Sequence, residues 1–250
     1  MMIQTIGLCK NFGGLKAVDN VSVGIREKTI HSILGPNGAG KTTFFNLITG
    51  AIPPASGKVN YFGNDITGCS PEHLANIGIV RTFQRTSVFK KLTALENVSL
   101  AIRSRKGLNY SIRNSAANER VVAEEAQSCL NDVGLGNKGN VVAENLAHGF
   151  QRALDVALGL AMHPKLILMD EPLAGMSRGD RQGIADLILK LRDEMGLTIV
   201  LVEHDVGMVM ALSDIITVMH HGKVIAEGSP ETIRQDSAVK SAYLQGGFAS

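Results

Sequence analysis

Within its 250 residues the sequence contains no run of about 18 apolar residues, the length a membrane-crossing helix needs. Its most apolar region, Ala153 to Met169, is broken by His163-Pro164-Lys165. It also lacks a charge excess: 25 Lys and Arg against 23 Asp and Glu leave a net charge of +2. Bulk electrostatics therefore give no reason to expect a nucleic-acid partner. Only three cysteines occur, Cys9, Cys69 and Cys129, far apart and without metal-ligand spacing. That usage fits a reducing cytoplasm and not a disulfide framework. There are no internal repeats and no low-complexity segments. Met1 to Lys10 alternates like a strand and does not read as a signal peptide. What remains is one large domain or two small ones, with residues enough for an ample core.

The stretch that organises this chain is Gly35-Pro36-Asn37-Gly38-Ala39-Gly40-Lys41-Thr42. It fits G-x-x-x-x-G-K-[ST], the phosphate-binding loop. The apolar run Ile30 to Leu34 leads in, and Thr43 to Thr49 leads out like a helix, so the loop sits between a strand and a helix N-terminus. Glycines let successive N–H groups converge on one spot, and the helix dipole adds positive potential there. Lys41 is expected to reach the β- and γ-phosphates of a nucleotide, and the Thr42 hydroxyl to ligate Mg²⁺.

Residues 2–9 and 18–25 alternate as antiparallel strands, with Asn11-Phe12-Gly13-Gly14 as the turn. Phe12 on that turn either stacks on an adenine or staples the hairpin. Lys58 to Phe62 reads as a strand, Ser70-Pro71 caps a helix through Asn76, and Ile79 to Phe83 is a strand that delivers Gln84 into a loop. Thr93-Ala94-Leu95-Glu96 is a capping box opening a helix, Val121 to Val133 is a second helical pattern, and Gly134, Gly136 and Gly139 break the chain. The basic residues Arg103, Arg105, Lys106, Arg113 and Arg120 form a solvated loop and helix face, or else touch a headgroup or partner. Helices are expected over Gly149 to Met162 and Arg178 to Met195. Strands are expected over Leu166 to Met169 and Leu197 to Val202, and a hairpin over Asp214 to Ala226. A helical segment starts at Ser229-Pro230-Glu231. This alternation predicts a mostly parallel sheet.

Asp170-Glu171 closes an apolar strand in the Walker B manner. A carboxylate at the carboxyl end of a buried strand lies at the crevice where phosphates bind. Asp170 is expected to hold Mg²⁺ through water, and Glu171, one residue on, to act on the attacking water as general base or positioner. His204 ends the next buried strand and is placed to hydrogen-bond the γ-phosphate; Gln84 is placed to ligate Mg²⁺ and touch the water.

The order Lys41, Gln84, Asp170, Glu171, His204 resembles the ABC-type ATPases over essentially the whole chain. The resemblance implies an α/β fold: a P-loop NTPase (RecA-like) core with a mainly parallel sheet, an N-terminal antiparallel β subdomain and an α-helical insertion. One ABC ATPase domain would fill 1–250. Its nucleotide-binding core would take about 1–91 and 149–228, its helical subdomain about 92–148, and its C-terminal helical tail 229–250. It further implies ATP held by the phosphate loop with Thr43, and an adenine stacked on Phe12. It also implies a head-to-tail dimer with a second cassette, homologous or identical, whose nucleotide meets this chain's signature Leu146-Ala147-His148-Gly149. Two departures stand out: Ala147 replaces the usual serine and His148 a glycine, so one hydroxyl donor is missing and His148 is a candidate replacement. Ala174-Gly175-Met176-Ser177 replaces Ser-Ala-Leu-Asp, which puts that aspartate's contact with the partner in doubt.

Arg81-Thr82-Phe83-Gln84, Leu-Ala-x-Gly-x-Gln-Arg from Leu146, Ala174-Gly175 and Ala242-Tyr243-Leu244 resemble the high-affinity branched-chain amino-acid importers. That resemblance implies two transmembrane permeases, a periplasmic binding protein reached only through them, and a peripheral position on the cytoplasmic face of the inner membrane. A permease helix would dock near Arg85 to Leu92, where Val88 and Phe89 either meet it or are buried in the core. The expected function is ATP hydrolysis powering uptake of branched-chain amino acids or a related small solute. The alternative is a non-transport ABC ATPase of the assembly-factor type. A degenerate nucleotide module is disfavoured by intact Lys41, Glu171 and His204, and a P-loop kinase leaves the signature and His204 unexplained.

Overall fold

The structure is a computed structural model and describes residues 1–82, 88–108 and 116–244. In chain order its elements are β1 (Ile3–Phe12), β2 (Leu15–Val21), β3 (Gly24–Ile25), β4 (Ile30–Leu34), α1 (Lys41–Ile48), β5 (Ser56–Tyr61), β6 (Asn64–Asp65), α2 (Pro71–Asn76), β7 (Ile79–Thr82), α3 (Ala94–Arg105) and α4 (Ala116–Asp132). Two 3₁₀ turns, Gly136–Lys138 and Ala143–Asn145, lead to α5 (His148–Leu160), β8 (Leu166–Asp170), α6 (Arg178–Asp193), β9 (Thr198–Val202), α7 (Val206–Leu212), β10 (Ile215–His220), β11 (Lys223–Gly228), α8 (Pro230–Gln235) and α9 (Ser237–Leu244).

Among the described residues the strands form two sheets. The larger runs β11-β10-β4-β9-β8-β7; it is parallel from β10 to β7, with β11 antiparallel at its edge. Strands β4, β8 and β9 are buried at every position, as a sheet covered on both faces requires. Their alternating side chains feed two cores. Ile167, Met169, Ile199 and Leu201 join the helices α3 to α6, around Ile102, Leu130, Leu154 and Ile188. Leu166, Leu168, Val200 and Val202 face the other way, onto Phe44, Phe45 and Ile48 of α1 and onto the smaller sheet. That sheet, β2-β1-β5-β6 with β3 on β1, is antiparallel.

The N-terminal hairpin is tighter than expected. Strand β1 continues through Asn11 and Phe12, Phe12 pairs with Leu15, and the turn is Gly13-Gly14 alone, with Gly13 at φ 58°. Two-residue hairpin turns need positive φ, which glycine adopts without a Cβ clash. The second expected strand is split into β2 and β3. Thr93 forms the capping box, its hydroxyl accepting from Glu96 N–H while Glu96 accepts from Thr93 N–H. The terminal helical segment breaks into α8 and α9 at Asp236.

Much of the basic stretch is internally neutralised. Arg103 pairs with Glu119, Arg105 and Lys106 with Glu125, and Arg120 with Glu124. The first three pairs join the end of α3 to α4, so those charges belong to a helix–helix seam, whereas Arg120 and Glu124 stand one turn apart on the exposed face of α4; Arg113 lies outside the described residues.

Candidate functional site

Parallel pairing brings several strand ends to one edge. Met169 stands opposite Thr82, Asp170 opposite Val202, and Val202 opposite Ile33. The carboxyl ends of β4, β9, β8 and β7 therefore open together, at the crevice where open α/β sheets bind ligands. Gln84 follows β7 but lies outside the described residues.

The phosphate loop leaves β4 and is clamped from behind. A Cβ on Gly35 would stand 2.3 Å from the Met219 carbonyl, and one on Gly40 2.3 Å from that of Ala17, so no side chain fits at either position. Gly222 N–H donates to Ala39 C=O at 2.9 Å, tying the β10–β11 turn to the loop. Gly40 caps α1 at φ 99° with no side-chain hydrogen bond, so no side chain satisfies the first N–H groups of the helix. Lys41 Nζ folds back onto the Gly35 and Pro36 carbonyls, at 2.6 and 3.1 Å. Burial lowers its pKa, opposed by the charges of Glu171 and Asp170. A hollow of about 210 Å³ lies between Pro36–Ala39 and His220, His221 and Ala242. Thr42 is exposed and Thr43 half-buried on the first turn of α1.

Asp170 is almost fully buried, and its Oδ2 accepts from Arg81 Nη2 at 2.9 Å. Burial pushes its pKa up, with Arg81 pulling it back down. Glu171 has φ 48°, unusual for a residue with a Cβ. Its N–H donates to Val202 C=O and its own C=O accepts from Ala174 N–H, a turn that fixes the residue there. His204 Nδ1 lies 3.7 Å from Glu171 Oε1. Behind them Glu203, 1% exposed, accepts from Leu173 N–H at 3.0 Å and from His204 N–H at 3.3 Å. Burial raises its pKa.

These residues fit a magnesium nucleotide. The loop offers N–H donors without a side-chain cap and an ammonium that rests on two carbonyls. A threonine hydroxyl and a carboxylate are the hard oxygen donors Mg²⁺ takes. Among the described residues no group of three or more His, Cys, Asp or Glu could hold a metal by itself. An ion that keeps most of its ligands from phosphate and water does not need one.

The structure gathers Lys41, Asp170, Glu171 and His204. It sets Leu146, Ala147, His148 and Gly149 apart, at the start of α5, where Gly149 faces Asp180 of α6. Ala147 occupies the N-cap without a side-chain bond, and His148 is exposed. Ser177 caps α6: it accepts from Asp180 N–H, and its hydroxyl is 2.7 Å from Asp180 Oδ2. Phe12 is 52% exposed, so it does not staple the hairpin. Sequence reasoning gave no role to Arg81 or Glu203. The available signal was a charged residue on, or ending, an otherwise apolar strand.

A larger hollow, about 820 Å³, lies away from the phosphate loop, between β7, α2, α3 and α5, with Phe89, Leu100 and Ala101 in its walls. Phe89 is 62% exposed, whereas Val88 packs on the core.

The family described as ABC transporter matches residues 18–174. The chain belongs to this family. The C-terminal part of the cassette, residues 223–244, also matches the family described as branched-chain amino acid ATP-binding cassette transporter. The cassette is 39% identical, over 97% of both chains, to the high-affinity branched-chain amino acid transport ATP-binding protein BraF of Pseudomonas aeruginosa. It superposes with a TM-score of 0.86 on the ADP conformation of MJ1267, an ATP-binding cassette of an ABC transporter, at 32% identity and covering 98% and 99% of the two chains. It superposes with a TM-score of 0.75 on the dimeric post-hydrolysis cassette MJ0796 bound to ADP and Pi, at 28% identity over 92% and 99%. The cassette is accordingly a nucleotide-binding ATPase. Among its described residues no helix is long and apolar enough to cross a membrane.

Proposed function

We propose that this cassette is the ATP-hydrolysing subunit of an importer for branched-chain amino acids or a related small solute. It would work as a head-to-tail dimer with a second cassette beneath two permeases, peripheral to the cytoplasmic face of the inner membrane, with a periplasmic binding protein coupled indirectly. The observation that carries the ATPase part is the meeting of Lys41, Asp170, Glu171 and His204 at one sheet edge. The transport part rests on the likeness to BraF along 97% of the chain and on the C-terminal match.

The loop N–H groups of Gly38 to Thr43 cradle the phosphates. Lys41 exchanges the Gly35 and Pro36 carbonyls for phosphate oxygens. Phe12 stacks on the adenine, and Thr42, Asp170 and Gln84 hold Mg²⁺. When bound, Mg²⁺ supplies Lewis-acid charge to the transferring phosphoryl group. Glu171 accepts the proton of the attacking water, Gln84 orients that water, and His204 donates to the γ-phosphate. Leu146, Ala147, His148 and Gly149 complete the partner cassette's site. On this reading the helical part, about 92–148, frames the groove of about 820 Å³, where a permease helix would meet Phe89.

Gentle solubilisation of native membranes, capture of this chain and mass spectrometry of its partners test the proposal. Two polytopic permeases with a second ATPase are expected. Soluble partners alone would reject the importer in favour of a non-transport ATPase.

A further inference from the structure

Strand β7 is apolar at Ile79 and Val80 and then presents Arg81 to the interior. Its guanidinium bridges three elements. Nη2 donates to Asp170 Oδ2 on β8 at 2.9 Å, Nη1 donates to Asn46 Oδ1 on α1 at 2.6 Å, and the group lies 5.0 Å from the Phe45 ring centre. The Arg81 side chain is 21% exposed and that of Asp170 is 2% exposed. The same arginine lines the groove of about 820 Å³ beside Thr82 and Phe89. It is thus shared between the phosphate-site carboxylate and the groove.

We infer that Arg81 is a positioning residue that competes with Mg²⁺ for the Asp170 carboxylate, linking metal-nucleotide loading to the seat of β7 beneath the groove. This rests on the proposed role of Asp170 as a magnesium ligand. A carboxylate this buried is costly without a cation, and Arg81 supplies one at 2.9 Å. A second cation at the same carboxylate is repelled by the first, and in so dry a place the repulsion is weakly screened. Arg81 therefore lowers the affinity for Mg²⁺, and by linkage bound Mg²⁺ loosens Arg81 from Asp170 by the same factor. Loosening frees the guanidinium on the groove side. Asn46 and the Phe45 ring remain as its anchors, so the strand shifts its hold without losing it.

The test measures binding of a non-hydrolysable ATP analogue, adenylyl imidodiphosphate, with Mg²⁺ and with chelator, at one fixed pH. The quantity read is the tightening produced by Mg²⁺. In Arg81→Met and Arg81→Gln it is expected to exceed the wild-type value by roughly fivefold or more. Arg81→Lys, which keeps the charge, is expected to match wild type. All three are expected to melt lower, which a purely structural arginine would also produce; the Mg²⁺ effect separates the two roles. An unchanged or smaller tightening in both neutral variants would overturn the inference, as would a Lys variant behaving like Met. Asp170→Ala identifies the other failure: if it keeps the wild-type Mg²⁺ effect, the magnesium role of Asp170 falls and the inference falls with it.

Discussion

His204 Nδ1 faces Glu171 Oε1 at 3.7 Å, while the buried Glu203 carboxylate, 3.9 Å from the same nitrogen, holds the backbone of both Leu173 and His204. The strand end, the turn after β8 and the histidine are thereby fixed as one unit. Glu171 keeps its left-handed backbone because Val202 and Ala174 bond to it on either side. Strain of this kind, on the order of 1–3 kcal/mol, persists where the surroundings over-determine it, and it clusters at functional sites.

Glu171→Gln is therefore expected to bind nucleotide with wild-type affinity and to lose roughly 10²–10⁴ in turnover, the usual worth of a positioned general base. His204→Ala is expected to lose less, and the double variant no more than about the Gln variant alone, since the two act on one reacting phosphate. Phosphate release in the assembled complex measures this. Equal rates for wild type and Glu171→Gln would remove the base role.

The signature makes a second, independent claim. Ala147 caps α5 without a hydroxyl, and His148 is the exposed residue beside it. If His148 supplies the missing donor to the partner's γ-phosphate, His148→Ala costs one hydrogen bond to a charged group, roughly 1.5–3 kcal/mol. ATP-driven association of the two cassettes then weakens about tenfold or more, a factor that free energy implies. His148→Gln, still a donor, should fall between. Wild-type association and turnover in both variants would assign the role elsewhere.

The legible parts of this chain were those whose signal is local. The Gly35-to-Thr42 loop, the Ser70 cap and the Thr93–Glu96 box carry their geometry in a few adjacent residues, and the structure has them where the sequence puts them. The apolar runs at 166–169 and 199–202, which make up most of β8 and β9, were legible because a doubly covered sheet tolerates little else. Helix α7 was missed: it is only seven residues long, and its start signal, Asp205 accepting from Met208 N–H, follows directly on the site residues Glu203 and His204. Phe12 was placed on a loop because Asn and Gly flank it, whereas cross-strand pairing with Leu15 overrides that preference. Arg81 and Glu203 were legible as residues but not as partners. Their meaning depends on strands distant in sequence, Arg81 with Asp170 and Glu203 with Leu173.

The wall of the large groove separates stability from docking. Asn97, 1% exposed, accepts from Phe89 N–H and donates to the carbonyls of Phe89, Leu92 and Thr93. It pins a backbone from which Phe89 projects into solvent. Asn97→Leu keeps the bulk but leaves Phe89 N–H without its acceptor, while the Phe89, Leu92 and Thr93 carbonyls keep their backbone donors Leu92, Ala143 and residue 97, for an expected loss of about 2 kcal/mol. Phe89→Ala is expected to change stability by less than about 0.5 kcal/mol and to weaken permease association instead. Denaturant titration and co-purification read the two effects. The division fails if Phe89→Ala destabilises the isolated chain as much as Asn97→Leu does.

The acid limit of the fold is set in part by His31, in the middle of the parallel sheet. Thr217 donates to Glu227 Oε2 at 2.8 Å, so its oxygen is left to accept from His31 Nε2–H at 2.8 Å. This selects the neutral tautomer with Nδ1 bare, and Nδ1 has no partner among the described residues. Burial, helped by Arg26, pushes the imidazole pKa down to about 4. A base with a lowered folded pKa contributes its full stability above the unfolded value of about 6.5. As pH falls from there the unfolded chain takes up a proton that the folded one refuses, until the folded group titrates near 4. The expected loss over that window is about 3 kcal/mol, with no further contribution from this group below it. His31→Gln retains a donor for Thr217 but cannot titrate. Its stability should therefore be flatter than wild type between those limits, whatever its value at neutral pH. Parallel curves of unfolding free energy against pH for the two proteins would show that another group sets the acid limit.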